Sequence, residues 1–97
     1  MMHEYLKNHI HEEIDGAIDY LTKALELKAS HPMIAHKFYS MSDAEAAHAN
    51  CLTKIFNSLE RDESMDISEY SNFQKSVITD YIDGMGKIES MKKLFWE

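Results

Sequence analysis

Residues 21–40 read LTKALELKASHPMIAHKFYS, and the break at Ser30-His31-Pro32 inside that stretch decides the fold. Apolar residues at helical spacing lead into the break through Leu21, Ala24 and Leu27 and leave it through Ile34 and Phe38. Proline disrupts a helix interior but suits a turn or the first turn of the next helix. So short a connection sends the second helix back along the first. Upstream, Leu6, Ile10, Glu13, Ala17, Tyr20, Ala24 and Leu27 are spaced 4, 3, 4, 3, 4, 3, which is the seam of a helix packing along its whole length; Ile14, Ile18, Leu21 and Leu25 widen that face. Downstream, Ile34, Phe38, Met41, Glu45, His48, Leu52, Ile55 and Leu59 form a second seam of the same kind. The pattern predicts helices over residues 2–29 and 33–60, each roughly 40 Å long at about 1.5 Å per residue.

Beyond Glu60 the sequence Arg61-Asp62-Glu63-Ser64-Met65 is polar and aperiodic and reads as a loop. Asp66 with Glu69 three residues on resembles a capping pair opening a third helix over 67–96, whose apolar face includes Phe73, Val77, Tyr81, Ile88, Met91 and Phe95. Gly84 and Gly86 mark either a bend in that helix or a place where another backbone comes close. The fold class is therefore all-α, a single domain over 1–97 built as a long antiparallel helical hairpin plus a third C-terminal helix.

Composition narrows the function. Seventeen acidic residues against ten basic give a formal charge of −7, which argues against nucleic acid or an anionic membrane as main partner, since both are bound through clustered Lys and Arg. Cations are the more natural ligands. One cysteine permits neither an internal disulfide nor a cysteine zinc site, and no apolar run reaches the length of a membrane span, so a soluble cytoplasmic protein is expected.

Glu13, Glu45 and His48 occupy seam positions that otherwise demand apolar side chains, and an unpaired buried carboxylate costs several kcal/mol. Glu45 and His48 share one helix face at a spacing of three. With the turn at His31, Glu13 lies 18 residues before it and His48 17 after it. At about 1.5 Å per residue their heights then nearly coincide. Two carboxylates and an imidazole converging from two helices suit iron, manganese or zinc better than calcium or magnesium.

In di-iron carboxylate bundles a Glu from each of two helices joins a Glu-x-x-His from each of two others. Glu13 and Glu45-Ala46-Ala47-His48 supply half of that set, and a second copy would supply the rest. On these residues the sequence resembles the ferritin-like superfamily, most closely the short encapsulated, rubrerythrin-like half-ferritins, whose single-hairpin subunits pair to complete a di-iron centre. The similar stretch runs from Glu12 to Leu59 and includes Glu12-Glu13-Ile14-Asp15, Tyr20 one heptad after Glu13, the Ser30-His31-Pro32 break, and Ala44 to Ala49.

The resemblance implies that Glu13, Glu45 and His48 ligate iron, that Tyr20 lies beside the centre, and that Glu12 and Asp15 form a metal entry site. It further implies a ferroxidase oxidising Fe(II) to Fe(III), a homodimer at minimum or a larger ring, manganese as the alternative metal, and residence in an encapsulin compartment. Departures are that Asp19 stands where the family has an aromatic, that the hairpin is slightly longer, and that the family's targeting tail has no counterpart here. Full-length ferritins and rubrerythrins carry a second Glu and Glu-x-x-His, whereas the third helix here has Glu89 but no histidine. Two other readings fit the same residues: an iron-binding or delivery module without fast chemistry, and a structural three-helix adaptor whose seam polar groups pair with each other. Among the remaining polar residues, His9 lies one turn before Glu12 and Glu13, His3, His11, His31 and His36 show no convergence, and Cys51 is expected as a small buried thiol.

Overall fold

A computed structural model describes residues 2–97 and contains three helices: α1, Met2–Leu27; α2, Pro32–Ser58; and α3, Ile67–Phe95. Pro32 starts α2 at its first helical position, and the turn is closed by His31 N–H donating to the Leu27 carbonyl at 2.7 Å. The expected ends at 29, 60 and 96 are each one or two residues long: Lys28–Ser30 form the turn, Leu59 is extended, and Trp96 is the C-cap of α3. Asp66 caps α3 as the sequence suggests, accepting the Glu69 backbone N–H at 2.7 Å, and that bond holds the Asp66 carboxyl below the usual carboxylate range. At the other end of α3 the Lys28 ammonium donates to the Leu94 and Phe95 carbonyls at 2.9 and 3.0 Å, satisfying acceptors that the last helical turn leaves free.

α1 and α2 pack antiparallel along most of their length. The packing face of α1 is Leu6, Ile10, Ile14, Ala17, Leu21 and Ala24. On α2 the buried row is Ala35, Ser42, Ala46, Ala49, Thr53 and Phe56, one position on from the expected seam. Ile34, Met41 and Ile55, expected inside, are 46%, 43% and 44% exposed. The cause is steric. Small side chains let two helix backbones approach closely, and the Ser42 hydroxyl uses that proximity to donate to the Ala17 carbonyl at 2.7 Å.

α3 lies chiefly against α1 and runs in the same direction, its start at Tyr70 meeting His3 and its end meeting Lys28. Val77, Ile88 and Phe95 join the core, with Phe73, Tyr81 and Met91 packed around it. Gly84 is a point of close approach and not a bend, since α3 is continuous and a Cβ there would lie 2.6 Å from Ile14 Cγ2. A Cβ at Gly86 meets nothing within 4 Å. Because α3 docks on the α1 side, the outer face of α2 around His48 is left uncovered. Cys51, expected buried, is exposed on that helix.

Candidate metal centre

The α1–α2 register brings Glu13, Glu45 and His48 together, each offering a ligand atom within 4.8 Å of those of the other two. Glu13 reaches across from α1, with its Oε2 3.4 Å from His48 Nδ1. The Glu13 side chain is mostly shielded at 21% exposure, whereas that of His48 is 61% exposed. The cluster thus sits at the edge of the hairpin and opens outward past His48.

The electrostatics call for a cation. Glu13 Oε2 is removed from water and has no hydrogen-bond partner, a condition that native structures rarely tolerate without compensation. The Glu45 carboxyl is held above the usual carboxylate range, first because its protonated form hydrogen-bonds to Glu13, then through desolvation and the Glu13 charge, with His48 pulling the other way. A divalent cation would resolve both features, taking a lone pair of the unpartnered oxygen and offsetting the repulsion between the two carboxylates. Two carboxylates with one imidazole form a donor set suited to iron, manganese or zinc.

One residue of the site escaped the sequence reading. A Cβ at Gly16 would lie 2.9 Å from Glu45 Oε2, so the glycine makes the space in which that carboxylate rests. The available signal was a glycine inside a helix, which costs about 1 kcal/mol relative to alanine, three residues after a candidate ligand.

The other expected residues are not among the three that converge. Glu12 is exposed, its carboxylate 3.7 Å from His9. Asp15 is on the α3 side of α1, lining a cavity with His11 and Asp80. Tyr20 is half-buried with its ring tilted against Phe38 at 6.1 Å. His11, which showed no convergence in the sequence, lies 3.3 Å from Asp80 of α3, a contact visible only once α3 is docked. No helix among the described residues is long and apolar enough to cross a membrane.

Comparison with known proteins adds to this geometry. A search of the curated proteins and one of the solved structures each returned no significant match. The family model described as rubrerythrin matches residues 4–93, which take in α1, α2 and nearly all of α3. Domains of that family are ferritin-like helical folds that bind iron and commonly act on it as oxidoreductases. With the carboxylate–histidine cluster held between α1 and α2, the chain belongs to the rubrerythrin family of iron-binding, ferritin-like domains.

Proposed function

We propose that the protein is a ferroxidase whose di-iron centre is shared by two copies, each contributing Glu13, Glu45 and His48. The observation that carries this reading is the unpartnered, water-shielded Glu13 Oε2, which stands 3.4 Å from His48 at an open edge of the molecule. A single copy presents two carboxylates and one imidazole there, half of the four carboxylates and two histidines of a di-iron bundle.

The surroundings of the cluster support a second copy as the missing half. Ile34, Met41, His48 and Ile55 are spaced by seven on the exposed face of α2, with Phe38, Glu45, Leu52 and Leu59 in the alternate heptad position. That is the spacing of a coiled-coil seam, and its outer row of Ile34, Met41, His48 and Ile55 is exposed, while Phe38, Leu52 and Leu59 pack partly against the core of their own chain. A two-fold pairing sets residue i against residue j and j against i, so a cluster near the axis, at the middle of the row, would meet its own copy.

The substrate is Fe(II), and its oxidation passes one electron per ion to dioxygen or peroxide, with protons supplied by solvent. The ligands of both copies together carry four negative charges, which stabilise the ferric product more than the ferrous substrate. Glu45, beside Glu13 and with Gly16 leaving room around it, would supply the second carboxylate of each half. His48 presents its imidazole from the exposed side, where an oxidant arrives.

Anaerobic Fe(II) titration followed by air tests the reading. The expected result is about one iron per chain, a rise in near-ultraviolet absorbance and uptake of O₂, all lost in Glu45→Ala and His48→Ala. Retained iron without O₂ uptake makes the protein a binding or delivery module. No retained iron overturns both metal readings and leaves the structural one.

A further inference from the structure

The seam on the outer face of α2 has an internal symmetry. Its eight positions, from Ile34 to Leu59, are spaced 4, 3, 4, 3, 4, 3, 4, an order that reads the same from either end, and Glu45 and His48 are the fourth and fifth of them. The midpoint therefore falls between these two residues. Turning α2 end over end about that point sets Glu45 level with His48 and Met41 level with Leu52. Further out it sets Phe38 level with Ile55 and Ile34 level with Leu59, so every position has a counterpart. The relief matches as well. Ile34, Met41, His48 and Ile55 are exposed, whereas Phe38, Glu45, Leu52 and Leu59 are half-buried, so each level joins one projecting side chain to one recessed one.

From this pattern we infer that the occupant of the seam is a second copy lying antiparallel, with the two-fold axis passing between Glu45 and His48. This orientation and register belong to the pair that the shared-centre reading requires, and rest on it. Charge selects them over a parallel pair. Side by side in the same direction, Glu45 would face Glu45 and His48 would face His48, whereas end over end each carboxylate faces the other copy's imidazole. Position along the helix points the same way. A parallel pair brings ligands at any height of α2 against their copies, but an antiparallel pair does so only at the middle of the seam, which is where Glu45 and His48 lie. Ala44 and Ala47, exposed next to these residues in the chain, are small enough to let the two helices close on each other there.

Disulfide trapping tests the register. Chains carrying Ile34→Cys and chains carrying Leu59→Cys, both with Cys51→Ser, are mixed with and without Zn(II), allowed to exchange, and oxidised. The expected product is the mixed disulfide between positions 34 and 59 alone, because in the antiparallel pair the two copies of position 34 lie about 37 Å apart along the helix, far beyond the reach of a disulfide. Disulfides between equal positions overturn the proposal, and so does a sedimenting pair that forms no disulfide. Should cysteines in the seam disturb folding, spin labels at Asn50 and Asn57, both exposed and outside the seam, decide by pulsed EPR in the Cys51→Ser chain. Their copies lie about 10 Å and about 32 Å apart along the helix in the antiparallel pair, so the measured separation must be clearly larger at Asn57, and equal separations overturn the proposal. The mixed disulfide without O₂ uptake upholds the register and removes the ferroxidase. Equal-position disulfides with full iron oxidation do the reverse, and a monomer under every condition overturns both.

Discussion

At Glu45 two requirements oppose each other, since the carboxylate that suits a cation is, without one, crowded against Glu13. Its folded-state pKa is raised, so the folded protein binds the proton more tightly than the unfolded chain does. The stabilising effect of protonation is full below the unfolded carboxyl value and is lost as pH rises through the folded one. The metal-free protein should accordingly gain relative stability on mild acidification in the carboxyl range, and iron affinity should fall over the same interval because the ion must displace the proton. Glu45→Gln should remove that pH dependence, raise the Tm of the metal-free protein at neutral pH, and abolish iron binding. Thermal melts at several pH values with chelator present measure the first effects, and dialysis measures the last. Gly16 separates stability from site geometry in another way. Alanine there improves the helix by about 1 kcal/mol, but its Cβ would stand 2.9 Å from Glu45 Oε2 and displace the carboxylate. Gly16→Ala should therefore melt no lower than the parent while binding iron about tenfold more weakly.

Among the elements, α3 offers a paired test, because its two glycines are alike in sequence and unlike in surroundings. At Gly84 a Cβ would meet Ile14 Cγ2 at 2.6 Å, so Gly84→Ala should destabilise by about 1–3 kcal/mol through overpacking despite its better helix propensity. Gly86 faces open space, and Gly86→Ala should stabilise by about 0.5–1 kcal/mol. Urea denaturation of both variants checks the contrast in sign. Nothing in the sequence tells these glycines apart, since the difference lies in which helix passes by. The break at Ser30-His31-Pro32, the Asp66 cap and the three helices were legible because each depends on near neighbours in the chain. So was the meeting of Glu13, Glu45 and His48, for equal distances from a tight turn leave little freedom in height. The face that α2 turns toward α1 was not. Ranking by hydrophobicity favours Ile34, Met41 and Ile55, but closeness of approach favours Ala35, Ser42, Ala46 and Ala49, and closeness prevails between antiparallel helices of this length. His11 and Asp80 could not be paired in advance either, because α3 follows a loop with no fixed register to α1.

As a whole the molecule measures 53 × 18 × 15 Å with a radius of gyration of 15.8 Å, against about 12.5 Å for a compact globule of this length. A plank of that shape has a high ratio of surface to core, and the outer row of α2 makes the cost specific, since Ile34, Met41 and Ile55 face solvent on the same stripe as His48. These side chains lie outside the buried core of their own chain. Replacing them with polar residues should leave the folding of one copy nearly unchanged, within about 0.5 kcal/mol per site. Pairing is another matter, because a symmetric seam brings each replaced residue into the contact twice and sets introduced acids against one another. Ile34→Glu with Ile55→Glu should thus halve the mass found by sedimentation equilibrium while preserving the helical circular dichroism. It should also abolish stoichiometric iron binding, although Ile34 and Ile55 lie 14 and 7 residues from His48 and are not ligands. Loss of iron together with loss of the pair, at intact helicity, is the result that a centre completed across two copies requires. An unpaired variant that still holds its full iron would place every ligand within one chain.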